Sequence, residues 1–280
     1  LCDILRLVSK FYLSYWSGGY LGQPNQFVVD MCKLSALYLN EHYGECSLIT
    51  DTSSKPYFEK LPFKNITTEL DILNGVDSHN WALGKLQTYK LLSERKESFI
   101  HIDYDVFLLK KIPEETFNCD LLVQNKETNI FKKYELDIFN RLVGEKYHFN
   151  LANETDTAYN VGIFGGNNLD FINFYATEAI KFTLDPKNKK MFKKIWNSHA
   201  KNGAAATVPE QYYLKVLADK NNINVKCLLD CIINIEDHSS FNDPCKEYSS
   251  KLGYVHLMSS KNEERVIKAV YSRLKNFETK

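Results

Sequence analysis

Residues 99–113 read FIHIDYDVFLLKKIP. Ile100, Ile102, Val106, Phe107 and Leu108 give this stretch the apolar density of a buried strand. Its middle nevertheless holds His101, Asp103 and Asp105. On a strand, side chains two positions apart share a face, so the two carboxylates point the same way. Burying like charges so close costs both desolvation and repulsion. A divalent cation would offset that cost. Mg²⁺ and Mn²⁺ are hard ions that choose oxygen ligands, commonly one or two carboxylates, and leave other positions to water or phosphate. The plainer alternative is a loop edge whose aspartates cap a helix or meet solvent.

Around this stretch, short apolar runs alternate with helical periodicity. Residues 26–43 have helical spacing and end at Gly44, and a strand at 46–50 leads to Asp51. A short helix follows in SSKPYFEKL, then a strand at 65–70 and a helix at 81–94. Beyond the two aspartates come strands at 120–125 and 158–166 and a helix at 169–184. A charged helix around FKKIW and a Gly/Ala-rich loop precede a helix at 209–222 that opens on a proline. Late strands at 225–229 and 254–258 and an amphipathic helix end the pattern. This alternation predicts a three-layer α/β domain with a mainly parallel sheet. In such sheets ligands bind at the carboxyl ends of strands. Asp51, Asp103, Asp105 and Gly165 all fall at or near strand ends in this reading.

The 280 residues are read as a single domain, with a helical segment over 1–24 and a C-terminal helix over 263–280. Lys plus Arg and Asp plus Glu number 35 each, a balance that does not favour a nucleic-acid partner. Seven cysteines are an odd number, and the cluster Cys227, Cys231, Cys245 is spaced too widely for CxxC-type zinc pairing. Buried free thiols in a reducing compartment are expected, which points to the cytoplasm. No apolar run approaches the ~20 residues of a membrane span, so no transmembrane anchor is expected. The opening LCDILRLVSKFYLSYW lacks the layout of a cleavable signal.

Several stretches together resemble the GT-A-fold glycosyltransferases, enzymes that use a nucleotide-diphosphate sugar and a metal held by a D-x-D motif. They are LITD at 48–51, WALGK at 81–85, IDYDVFL at 102–108, YNVGIFGGNN at 159–168, PEQYYL at 209–214 and VHLMSSK at 255–261. The NVGIFGG stretch is similar to one in glycogenin-like and blood-group-type retaining members. The resemblance implies Mn²⁺ or Mg²⁺ on Asp103, Asp105 and His256, with a UDP-sugar as the favoured donor. It implies Lys261 as a phosphate-binding lysine after that histidine, although the glycine common between the two in the family is missing here. Lys85 is a second candidate cation for phosphate. Asp51 either contacts base or ribose or caps the next helix. Gly165 and Gly166 let the backbone pass close to the donor sugar or make a plain turn. Asn160 offers a donor and an acceptor for sugar hydroxyls. Glu210 and Gln211 stand where the family often places a catalytic pair, and an acid there also suits a helix N-terminus.

Gln124 and Glu127 are weaker candidates for acceptor contact, and the loop 197–208 is read as a lid or a surface connection. Tyr12, Tyr15, Trp16 and Tyr20 either stack a sugar or pack the core. The resulting reading is a metal-dependent transfer of a sugar to an acceptor hydroxyl on a glycan, a lipid-linked glycan or a protein. Retention of configuration follows from the NVGIFGG resemblance; were the reaction inverting, Glu210 would be the candidate base. The rivals are a nucleotidyl- or phosphotransferase on the same acidic site, and a non-catalytic binding module on the same fold. The only Gly-rich stretch near the first strand, SGGYLG at 17–22, lacks the following Lys and Ser/Thr of a phosphate loop. The sequence is silent on oligomeric state.

Overall fold

Lys10–Ser14, expected within a helical segment, is instead strand β1. Its alternation explains the correction. Phe11 and Leu13 enter one apolar cluster, while Tyr12 packs against the other, the period of a strand buried on both faces. The computed structural model describes residues 10–20, 22–76, 80–130, 155–196, 206–229, 232–234 and 253–279. Residues 1–9, residues 131–154, most of the 197–208 loop, and Cys231 and Cys245 lie outside the described residues.

Helix α1 (Gln26–Tyr43) starts where the Asn25 side chain accepts a hydrogen bond from Val28 N, and it stops at Gly44, whose φ of 89° suits glycine. Strand β2 (Cys46–Ile49), the short helix α2 (Lys55–Phe58) and strand β3 (Asn65–Thr67) follow. Helix α3 (Ala82–Glu94) leads into strand β4 (Phe99–Ile102). The segment 99–113 is not one strand. The chain turns after Ile102, with Val106 N donating to Asp103 O at 2.9 Å. Strand β5 (Val106–Leu108) then leaves the main sheet. Asp103 and Asp105 therefore sit in a turn between two strands, not on one face of a single strand.

Strands β6 (Leu121–Thr128) and β7 (Thr157–Gly166) come next. After them lie helices α4 (Leu169–Leu184) and α5 (Pro186–Trp196). The helix expected over 209–222 opens as a π-helical turn, Val208–Tyr212, before becoming α6 (Tyr213–Lys220). Strands β8 (Val225–Cys227), β9 (Ile232–Asn234) and β10 (Tyr254–His256) follow, then a 3₁₀ turn, Met258–Asn262, and helix α7 (Glu264–Glu278).

The main sheet runs β3-β2-β1-β4-β7-β6-β8, with β9 also pairing β6. All neighbours are parallel except those of β7, which is antiparallel to both β4 and β6. A separate antiparallel pair joins β5 to β10, setting His256 opposite Val106. One face of the main sheet is covered by residues of α3, α4 and α6, the other by residues of α1 and α7. This is the expected three-layer α/β architecture with a mostly parallel central sheet.

Candidate metal centre and its lysine flanks

Asp103 follows the carboxyl end of β4, Asp105 stands just before β5, and His256 ends β10. The β5–β10 pairing brings the histidine over the turn, and Leu257 N donates to Asp105 O at 3.0 Å. His256 Nε2 lies 3.9 Å from Asp103 Oδ2 and 3.7 Å from Asp105 Oδ1. Those spans are too long for hydrogen bonds. Ligand atoms of the three residues lie within 4.8 Å of one another, so the group could hold a metal ion. Two carboxylates and an imidazole are a fitting donor set for Mn²⁺, while the nitrogen suits Mg²⁺ less.

The histidine is oriented from behind. Its Nδ1 lies 2.7 Å from Gln124 Oε1, which also accepts from Tyr254 Oη at 2.6 Å. Gln124 Nε2 donates to Asn125 Oδ1 at 3.0 Å, which fixes the amide's direction. An oxygen facing Nδ1 requires Nδ1–H, so Nε2 is the nitrogen that faces the two aspartates and that offers a lone pair to a metal when the ring is neutral. Gln124 is thus committed to the histidine and not to an acceptor.

Gly162 makes room for this arrangement. A Cβ there would lie 2.4 Å from both Gln124 Oε1 and His256 Nδ1. Its carbonyl accepts from Asp103 N at 3.0 Å. The register of β6 against β7 shifts at this point, from Val123 opposite Phe164 to Asn125 opposite Asn160. Such irregularities re-aim side chains beside functional sites. The sequence reading missed Gly162, although a glycine inside an apolar strand marks close approach.

Two lysines flank the acids. Lys85 on α3 reaches Asp103 Oδ1 at 2.8 Å and Glu210 Oε1 at 2.5 Å. Lys261, on the 3₁₀ turn after β10, reaches Asp105 Oδ2 at 2.6 Å, and its ammonium lies 4.9 Å from the centre of the Tyr104 ring. Burial pushes the Asp103 carboxyl up, with Asp105 and Glu210 adding to the effect against Lys85. Burial works the same way on Asp105, but Lys261 and then His256 outweigh it and hold this carboxyl below its ordinary range. Burial would lower Lys85, yet Asp103 and Glu210 keep it above the usual lysine value. Beneath the site, His101 is buried beside Ser14, its Nε2 2.9 Å from Ser14 Oγ. Burial, reinforced by Lys85, keeps its pKa well below normal.

Other expected residues are placed differently. The Asp51 carboxylate is consumed locally, accepting from Ser17 N at 2.7 Å and Ser54 N at 2.9 Å and from the Ser53 hydroxyl. These partners are backbone and hydroxyl groups of the loops that follow β1 and β2. Gly165 and Gly166 pair with Ile100 and Phe99 near the start of β4, the edge opposite the aspartates, because β7 runs antiparallel. Their contacts are with backbone: a Cβ on Gly165 would lie 2.0 Å from Phe99 O, and one on Gly166 2.5 Å from Asp120 O. Asn160 is buried, donating to Glu127 Oε1 at 2.9 Å and accepting from Gly162 N at 3.0 Å. Gln211 follows Glu210 on the π turn and is partly exposed. Tyr15 and Trp16 are buried in the core, whereas Tyr20 stacks on Tyr15 and Trp81 and meets the edge of Tyr104.

No helix among the described residues is long and apolar enough to cross a membrane. No curated protein matches the chain. Among solved structures, it is similar to the crystal structure of mouse xyloside xylosyltransferase 1 in its apo form, with a TM-score of 0.48 and 8% identity. That match covers 90% of this chain and 98% of the other. The family described as "Family of unknown function (DUF6734)" matches residues 13–278, and the chain belongs to that family.

Proposed function

We propose that this chain is a metal-dependent glycosyltransferase of the GT-A type, moving a sugar from a nucleoside-diphosphate sugar, preferentially a UDP-sugar, to an acceptor hydroxyl. The observation that supports this reading best is the convergence of Asp103, Asp105 and His256 between Lys85 and Lys261. The cluster follows the carboxyl end of β4, one of the parallel strands, the edge at which α/β folds bind ligands.

Asp103, Asp105 and His256 would hold Mn²⁺ or Mg²⁺. Bound there, the ion would stabilise the charge that develops on the departing nucleoside diphosphate. Lys261, partly exposed, would bind a phosphate oxygen. Lys85 is held by Asp103 and Glu210 and would keep a fixed positive charge under the diphosphate. Glu210 therefore acts in this reading as the residue that positions Lys85. Asn160, already bonded to Glu127 and to Gly162 N, would in this reading brace the strand beside Gly162 rather than meet a sugar hydroxyl.

The test is calorimetric titration of UDP and of GDP, each with Mn²⁺ and with EDTA, into the wild-type protein and the D103A/D105A double variant. Metal-dependent binding that the double variant loses is expected, together with slow metal-dependent hydrolysis of the matching nucleotide sugar. Nucleotide binding that ignores both EDTA and the double substitution would overturn the reading.

A further inference from the structure

We infer that Lys261 competes with the divalent cation for Asp105 and is released by the diphosphate, so that metal and anion load the site together. The inference rests on the metal-site reading above and goes beyond it. Asp105 is divided between two neighbours, the His256 ring and the Lys261 ammonium. Its Oδ1 faces His256 Nε2 at 3.7 Å, and its Oδ2 accepts the Lys261 ammonium at 2.6 Å. A cation bound by the triad would share one buried carboxylate with that ammonium, and two positive charges at such range repel strongly in a poorly solvated site.

The two lysines are not equivalent in their freedom to move. The Lys85 side chain is 10% exposed and clamped by two carboxylates. The Lys261 side chain is 30% exposed, has one carboxylate partner among the described residues, and rests on the face of Tyr104. Lys261 can therefore leave Asp105 by rotating its own stem, without dismantling the core. A diphosphate on the metal supplies oxygens that replace Asp105 as its partner. Metal alone must displace the lysine with nothing to receive it; metal with diphosphate transfers it. By linkage, each ligand then raises the affinity for the other by the same factor. A lysine that only neutralised phosphate would not oppose metal binding.

The experiment measures Mn²⁺ affinity by the electron paramagnetic resonance signal of free Mn²⁺, without and with UDP, correcting for Mn²⁺–UDP formed in solution. It uses the wild type and the variants K261M, K261Q and K261R. K261M and K261Q are expected to bind Mn²⁺ alone about tenfold more tightly than the wild type, and K261R to match it. UDP is expected to tighten Mn²⁺ binding at least tenfold in the wild type and far less in K261M. A merely structural role for Lys261 would not tighten metal binding on its removal. Wild-type Mn²⁺ binding that both neutral variants fail to improve overturns this inference and leaves the metal site standing. No Mn²⁺ binding in the wild type or any variant overturns both.

Discussion

A methyl group on Gly162 would collide with Gln124 Oε1 and His256 Nδ1 at once, each 2.4 Å away. One of the two polar groups would have to leave, and with it the tautomer that aims Nε2 at the aspartates. Gly162→Ala is expected to weaken Mn²⁺ binding at least tenfold and to cost about 1–3 kcal/mol of stability from overpacking. Calorimetry and urea unfolding read these separately. Gln124→Leu removes the acceptor behind the histidine and is expected to lower Mn²⁺ affinity about 10–100-fold, the usual effect of losing such a partner. Unchanged metal binding in both variants would show that His256 needs no support. The aspartates and His256 were legible as ligand types in the sequence. Gln124 was not, because an amide that orients a ligand has no spacing signature.

The same logic at the level of elements concerns α3 and the π turn Val208–Tyr212. Lys85 joins them, bridging Asp103 and Glu210. The turn is also anchored from α4, whose Tyr175 hydroxyl donates to Glu210 O at 2.5 Å. Glu210 is 2% exposed, so deleting Lys85 leaves a buried charge without its partner. Lys85→Met is expected to destabilise the protein by about 3–5 kcal/mol. The K85M/E210Q double variant is expected to recover part of that loss, since Glu210 is then no longer stranded while Asp103 still lacks Lys85. Equal stability of K85M and wild type in urea would refute the bridge. The helix at 209–222 was legible from its proline start and periodicity; the π turn at its beginning was not. It depends on packing between α4, β7 and the turn, which lie far apart in sequence.

Across the whole molecule, the direction of β7 decides which glycines serve the site. Running antiparallel to β4, it places Gly162 beside Asp103 and carries Gly165 and Gly166 to the opposite edge. There they serve the sheet. A Cβ on Gly165 would lie 2.0 Å from the Phe99 carbonyl oxygen, a backbone atom in a paired strand that cannot yield cheaply. Gly165→Ala is expected to lower stability by about 3 kcal/mol, at the severe end of overpacking, and to lower the melting temperature accordingly. A melting temperature equal to that of the wild type would mean that the β4–β7 pairing tolerates the added atom.

Local pattern alone determined much of this protein. Helical periodicity, a proline helix start, a terminal glycine and alternating apolar runs marked most elements and the three-layer class, because these signals act between residues close in sequence. The unusual acids of 99–113 marked where the chemistry lies. Only the tertiary structure decided how the pieces meet. It made Lys10–Ser14 a central strand through burial on both faces, and it split 99–113 because β5 finds its partner in β10. It also tied Asp51 to Ser17 as well as to its own loop and brought Lys85, Gln124, Gly162, Glu210, His256 and Lys261 around two aspartates. Which strand pairs with which, and in which direction, depends on burying the whole apolar surface at once, and no local stretch carries that information.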